Sequence, residues 1–293
     1  MKGNQALTLS VPLKKNYTVQ LKVTRALIYV FLTLLLIITI IPVWLLLVNA
    51  TRSTVEIQQG ISLLPSRYLF TNYGILLSKG LDLPRGFINS LIIAGATTLV
   101  TVYFSMLTAY GLVVYDFKGK KVLYNSIILL VMIPMQLSII GFYQWMSTLG
   151  LDDNYLSLIL PSLASAGSVF FCKQYLESIM IHDLIDAGRI DGASEIGIFH
   201  RIMLPIAAPG AFTLGIFAFV GAWNNFFNAF ILITSRDKYT LPMLVQTLRG
   251  DVYRHEYGAI YLGLAASLVP IIVIYFLFSR YIVNGISMGA VKE

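Results

Sequence analysis

Six stretches of this sequence run without a charged residue for long enough to cross a lipid bilayer, which limits its possible folds more than any other feature. They are Ala26–Val48, Phe87–Tyr115, Val122–Leu151, Asn154–Cys172, Gly210–Ser235 and Tyr257–Ser279. A helical crossing takes about 20 apolar residues. A soluble core has no room for six such runs, whereas hydrocarbon requires each to be a helix whose backbone groups bond one another. Of the 293 residues 57% are hydrophobic and only 12% charged, against roughly 25% charged in soluble domains. The expected fold is all-α, a polytopic membrane protein with six transmembrane helices. A transmembrane domain over 26–280 lies between an N-terminal tail, 1–25, and a C-terminal tail, 281–293. Only Asp152 and Asp153 separate the third run from the fourth, which predicts a hairpin with a short turn.

Basic residues set the orientation, because cytoplasmic segments hold an excess of Lys and Arg. With the N-terminus in the cytoplasm, the inner segments carry 13 of the 21 Lys and Arg, Lys120, Lys121 and Arg189 among them. The 14 acidic residues divide evenly, seven to a side, so of the net charge of +7 about +6 falls inside and +1 outside. Topology therefore accounts for the basic balance and leaves no concentrated patch for nucleic acid. The first run is too long for a signal-peptide core and reads as a retained helix. Both termini, and the segment 178–208, are then cytoplasmic.

Nothing in the sequence has the pattern of a catalytic centre or a metal site. Cys172 is the single cysteine, and His182, His200 and His255 show no ligand spacing with one another. Gly119-Lys120-Lys121 lacks the upstream glycine and the hydroxyl residue of a phosphate-binding loop. The runs also lack Asp, Glu and His, the groups that bind a coupling ion in proton- or sodium-driven carriers. Their polar residues are neutral, and Gln136, Tyr143, Trp223, Asn224, Asn225 and Asn228 are candidates to line a pathway. Such a lining suits a neutral, hydroxyl-rich solute. The asparagines also suit hydrogen bonds between helices, worth about 0.6 kcal/mol each. Energy for pumping has to come from outside the chain.

The longest polar stretch between two runs offers a route for that energy. Within it, Asp186-Ala187-Gly188-Arg189-Ile190-Asp191-Gly192-Ala193 predicts a short helix ended by a turn at Asp191-Gly192, where glycine is free to take a positive φ. Leu184, Ala187, Gly188 and Asp191 fall on one helix face, nearly bare, where a partner can approach the backbone. A second amphipathic helix follows, with Ile196, Phe199 and Met203 on one side, until Pro205 and Pro209 stop it and start the next run. Two short helices hinged at a glycine form a docking lever.

This stretch, with Phe199 and Leu204-Pro205, resembles the EAA loop of binding-protein-dependent ABC-importer permeases, and more narrowly the maltose-type carbohydrate permeases. Phe87-Ile88-Asn89-Ser90, Ile133-Pro134, Trp223-Asn224-Asn225-Phe226 and the tail from Arg280 through Gly285 to Lys292 resemble the same family in order. The resemblance implies half of a translocation pathway for a sugar or oligosaccharide in a bacterial or archaeal plasma membrane. Its implied partners are a second, related permease, two ATPase subunits and an extracytoplasmic solute-binding protein, with membrane lipid around them. ATP and Mg are then used by the ATPases, with no cofactor on this chain, and the cavity alternates between the two sides. Leu184, Asp186, Ala187, Gly188, Asp191, Gly192, Ala193 and Phe199 are implied to couple to the ATPases. Asn284, Gly285 and Gly289 are implied to contact them from the tail.

Two departures bear on coupling. The family opens the loop with Glu-Ala-Ala where this chain has Asp186-Ala187-Gly188, and it has proline where Ile181 stands. Asp186 has two readings, a salt bridge to an ATPase or a pair with Arg189 one turn on. A permease for a non-sugar solute is an alternative, as is an ATP-independent carrier or channel.

Overall fold

The computed structural model describes residues 15–134, 138–179, 182–249 and 256–290, with side chains omitted at 15–20, 182, 248–249 and 278–290. Every regular element among them is helical. Helix α1 (Lys15–Asn49) begins well before its apolar run, since nothing between Lys15 and Ala26 breaks a helix, and it carries Pro42. Two short helices follow, α2 (Thr54–Gln58) under a Ser53–Glu56 capping box and α3 (Leu69–Ser78). Helix α4 (Leu83–Val114) starts at Asp82, whose carboxylate accepts the Arg85 N–H at 3.1 Å, with Pro84 in the first turn. That is the pairing of cap and proline that opens helices.

Gly119, at φ +93°, leads into α5 (Lys120–Met132). The third run then breaks: Ile133 is extended, at φ −84° and ψ 120°, as the ring of a following proline requires. The run resumes as α6 (Ile139–Thr148). Beyond the Asp152-Asp153 turn, α7 (Leu156–Ile159) and a 3-10 turn, Leu160–Ala164, bend by 41° into α8 (Ala166–Ile179). The next segment comprises α9 (His182–Ile190), α10 (Glu195–Ile198), a π turn over Phe199–Met203 and α11 (Leu204–Ile206). Helix α12 (Ala208–Trp223) leaves it at 80°. After a break at Asn224-Asn225 come α13 (Phe226–Leu232), α14 (Leu241–Arg249) and α15 (Tyr257–Ala290).

Among the described residues, three helices are long and apolar enough to cross a membrane alone, at Leu21–Asn49, Leu83–Val114 and Tyr257–Leu277. Counting each of the two bent pairs as one span brings the number to five at most. The six crossings expected from the uncharged runs are therefore not counted out by continuous helices. Pro134, Ser165 and Asn224-Asn225 interrupt the third, fourth and fifth runs. The last helix continues past the expected boundary at Arg280, so the segment from Tyr281 to Ala290 extends α15.

Two apolar cores sit at opposite ends of α4. At its head, Leu83 and Ala94 pack with Leu76, Phe219, Trp223, Leu241 and Ile260. At its tail, Met106, Ala109 and Tyr110 pack with Cys172, Leu176, Ile185, Ile198, Phe199 and Met203. The second core therefore takes in the inner faces of α9, α10 and the π turn, seating the expected docking segment on the end of a membrane helix.

Candidate functional site

The hinge of the docking segment has the geometry its sequence demands. Gly192 sits at φ +77°, Ala193 N–H reaches back to the Gly188 carbonyl at 3.0 Å, and Gly192 N–H reaches the Arg189 carbonyl at 3.0 Å. That is the paired bonding of a Schellman stop. The hydroxyl of Ser194 then accepts the Gly197 N–H at 3.2 Å and starts α10.

Around this turn, hydrogen-bond donors converge on Glu195. Arg189 Nε donates to Oε1 at 2.8 Å, and Arg189 Nη2 and Tyr110 Oη donate to Oε2 at 3.4 Å each. The Tyr115 hydroxyl also donates to Oε2. The Arg189 guanidinium lies 5.9 Å from the centre of the Tyr115 ring, and its Nη1 donates to Asp186 at 3.2 Å. The hydrogen bond from Arg189, followed by that from Tyr115, holds the Glu195 carboxyl below its usual value. Asp186 thus pairs within its own helix, while the stronger clasp joins both short helices to the end of α4.

The two faces of the segment are distributed differently from the expectation. Gly188 is turned inward: a Cβ there would lie 2.9 Å from Ile202 Cδ1 and 3.3 Å from Ile198 Cγ1. Its lack of a side chain serves packing within the chain. Phe199 is also inward, 2% exposed, with its ring centre 5.4 Å from that of Tyr110. Ile196, placed with Phe199 and Met203 by a regular 3.6 period, is 68% exposed, because the π turn shifts the register. Leu184, Asp186, Ala187, Asp191, Gly192 and Ala193 are outward, together with Ile190 at 85% exposure. His200 is engaged locally, Nδ1 with the Ile196 carbonyl at 2.8 Å and Nε2 with Tyr103 Oη at 3.2 Å.

A cleft of about 780 Å³ opens between α4, α5, the α7–α8 bend, α12 and α13. Trp223, Asn225 and Asn228 line it, with a larger set of Ser and Thr that includes Ser90, Thr97, Thr101, Ser157 and Ser162. Asn224 is exposed and lies outside this lining, as does Tyr143 on α6. Trp223 Nε1 donates to the Ser267 carbonyl at 3.1 Å, and its ring stacks on Phe219 at 5.7 Å. Asn225 caps α13 by accepting the Asn228 N–H at 3.3 Å. Gln136 lies outside the described residues. Asn284, Gly285 and Gly289 lie on the final turns of α15, where only the backbone is described.

Above the cleft, the Phe87-Ile88-Asn89-Ser90 motif holds the segment after α13. Asn89 Nδ2 donates to the Asp237 and Tyr239 carbonyls at 2.9 Å each, and Ser90 Oγ accepts the Leu241 N–H at 2.8 Å. The Asp152-Asp153 turn joins the same segment. Asp153, at φ +52°, accepts from Ser235 Oγ at 2.6 Å and Lys238 Nζ at 2.8 Å. Burial raises the Asp153 pKa, yet hydrogen bonds from Lys238 and Ser235 outweigh it and hold the carboxyl well below the usual range.

Residues 101–288 match the family described as binding-protein-dependent transport system inner membrane component. The chain belongs to this family. It is a multi-pass membrane permease subunit. The arabinooligosaccharides transport system permease protein AraQ of Bacillus subtilis (strain 168) is 31% identical over 94% of this chain and 99% of that protein. The trehalose/maltose transport system permease protein MalG of Thermococcus litoralis is 30% identical over 92% of this chain and 97% of that protein. One chain of a bacterial ABC transporter involved in import of the acidic polysaccharide alginate has the same fold. It matches with a TM-score of 0.77 and 20% identity, over 92% of this chain and 99% of that chain.

Sequence reasoning missed the Glu195 clasp in this permease. Tyr115 and Glu195 are far apart in the chain, and no local periodicity relates them. The Ser and Thr lining of the cleft was present in the sequence, but hydroxyls in membrane helices commonly bond their own backbone, so their number alone does not mark a pathway.

Proposed function

We propose that this permease is half of the translocation pathway of an ATP-driven importer for a sugar or oligosaccharide. It pairs with a second permease, receives solute from an extracytoplasmic binding protein and is driven by two ATPase subunits that use ATP and Mg. The chain performs no chemistry of its own. The names of AraQ and MalG support the solute class, and it fits that no Asp, Glu, Lys, Arg or His is among the described residues that line the cleft.

One observation carries the coupling role. The outer surface of the docking segment presents Leu184, Ile190 and Ile196 at 40%, 85% and 68% exposure beside the exposed carboxylates of Asp183, Asp186 and Asp191. Its inner surface is buried in the core at the tail of α4. Apolar side chains rimmed by charge mark contact surfaces, and a partner seated here would act directly on α4. The ATPase is the occupant this reading assigns, with Asn284, Gly285 and Gly289 at the end of α15 as a second contact. Ile190→Lys and Ile196→Asp should each reduce co-purification of the ATPase while leaving the permease in the membrane. Undiminished recovery of the ATPase with the double variant would place docking elsewhere.

A further inference from the structure

The apolar surface of α1 does not stop where the helix does. Its side chains from Leu21 to Pro42 are exposed without exception, in a span long and apolar enough to cross a membrane. Counted from Ala26, where the uncharged run begins, Trp44 lies about 27 Å along the helix, close to the roughly 30 Å thickness of the hydrocarbon. Its indole, 46% exposed, therefore falls at the boundary where tryptophan anchors membrane helices. Trp44 Nε1 donates to the Leu63 carbonyl at 2.9 Å. Helical side chains lean toward the N-terminus, which at this end of α1 means toward the bilayer centre. The chain leaves α1 at Asn49 and is thus brought back beside the helix, short of its end.

The returning segment is built for that position. No charged residue lies between Glu56 and Arg67, and Ile61, Leu63 and Leu64 are 85%, 58% and 77% exposed. Several of its polar groups are bonded within the chain. The Gly60 carbonyl accepts from Arg52 Nη1 at 3.0 Å, and Leu64 N–H donates to Ser62 Oγ at 3.1 Å. Ser66 N–H donates to Thr51 Oγ1 at 2.9 Å, and Ser66 Oγ donates to Glu56 Oε1 at 3.1 Å. Apolar side chains turned out over an internally bonded backbone suit surroundings poor in water, where an unpaired backbone group is costly. Exposed apolar patches mark protein or membrane contacts. Here the patch runs on directly from the exposed span of α1, which selects the membrane.

We infer that residues 60–65 form an interfacial anchor, in which Ile61, Leu63 and Leu64 enter the boundary between headgroups and acyl chains at the Trp44 end of α1 and the Trp44–Leu63 bond sets their depth. Amphipathic segments lie at this level of the bilayer. The anchor is placed away from the docking segment. Beyond it, Tyr68 N–H donates to the Thr51 carbonyl at 2.9 Å, and the chain enters α3, whose Leu76 packs with Leu83 at the head of α4. The anchor therefore holds α3 and the head of α4 level with the bilayer, whatever solute the permease carries.

The test uses the permease with its partner permease and ATPases in proteoliposomes, with no reactive cysteine in the partners; Cys172 is buried and stays unlabelled. Nitroxide labels are placed at Ile61→Cys, Leu64→Cys and, as a control on α2, Gln58→Cys. Electron paramagnetic resonance then reads their collisions with oxygen, which concentrates in lipid, and with a water-soluble nickel chelate. The labels at 61 and 64 should collide more with oxygen than with nickel, with and without binding protein, and the label at 58 should show the reverse. Trp44→Phe removes the donor and should raise nickel collisions of the Leu64→Cys label about threefold, the scale of one exposed hydrogen bond. Nickel collisions in excess at both 61 and 64 would place the segment in water and overturn the anchor. Shielding of both labels from both reagents, at all times or once binding protein is added, would assign the surface to a protein partner and overturn it too. An unchanged nickel rate in Trp44→Phe would overturn the depth set by the Trp44–Leu63 bond.

Discussion

Arg189 Nε meets Glu195 Oε1 at 2.8 Å across the Gly192 turn, and the same carboxylate takes the hydroxyl of Tyr115 at the end of α4. One side chain therefore ties the helix before the hinge, the helix after it and a membrane-spanning helix. The ion pair is partly solvated, with side-chain exposures of 38% and 44%. Its contribution to static stability is accordingly small, and its value lies in fixing where the docking segment sits on α4.

Glu195→Gln should accordingly loosen coupling more than it unfolds the protein. The expected result in proteoliposomes is roughly a threefold to tenfold fall in solute imported per ATP hydrolysed, the size of one partly solvated hydrogen bond. Tyr115→Phe should produce a smaller loss in the same direction. Normal import per ATP from both variants would remove the clasp from the mechanism.

The clasp should be insensitive to pH in the physiological range. Hydrogen bonds from Arg189 and Tyr115 hold the Glu195 carboxyl below its usual 4.5. A depressed carboxyl contributes fully above its ordinary value and loses that contribution only as pH falls through the depressed one. The ratio of wild-type to Glu195→Gln coupling should stay constant from neutral pH down to about pH 5.5, well above the carboxylate range. Convergence of the two proteins in that interval would show protonation of Glu195 at a higher pH than this arrangement allows.

Gly192 should tolerate substitution according to backbone preference and not size. Nothing lies within 4 Å of where its Cβ would be, while its φ is +77°. Gly192→Asn should transport measurably, because asparagine visits this region, whereas Gly192→Val should lose coupling through about 1–2 kcal/mol of backbone strain. Equal transport by the two variants, measured at equal membrane abundance, would argue against the hinge.

Gly258 is a position where substitution should weaken the fold itself. A Cβ there would run into the Arg52 carbonyl and lie within 2.6 Å of both polar atoms of the Asn72 amide. Asn72 is 3% exposed and donates to the Ala50 and Arg52 carbonyls at 2.9 Å each. Gly258→Ala should destabilise by about 1–3 kcal/mol through overpacking, with a further cost if the amide bonds break. Thermal melting of the detergent-purified chain checks this, and a wild-type melting temperature would contradict the contact.

What the sequence revealed, and what it hid, follows the range of the interactions involved. Gly192 and the Asp152-Asp153 turn act on their immediate neighbours, and each was legible because the backbone rule belongs to the residue itself. The register of Ile196 was misjudged because a π turn over Phe199–Met203 has no marker as clear as proline or glycine. Gly188 was read as open to a partner, since its spacing gives a face but not which body that face meets. Glu195 with Tyr115, and Asn89 with the Asp237 and Tyr239 carbonyls, join residues far apart in the chain. Only the folded bundle brings them together.

The most direct test of the central claim is import by proteoliposomes that contain this permease, its partner permease and the ATPases, with binding protein and a radiolabelled neutral oligosaccharide outside. Accumulation against a gradient is predicted with ATP inside, and none with a non-hydrolysable analogue or when this subunit is omitted. Equal uptake without ATP, driven only by the solute gradient, would contradict the account.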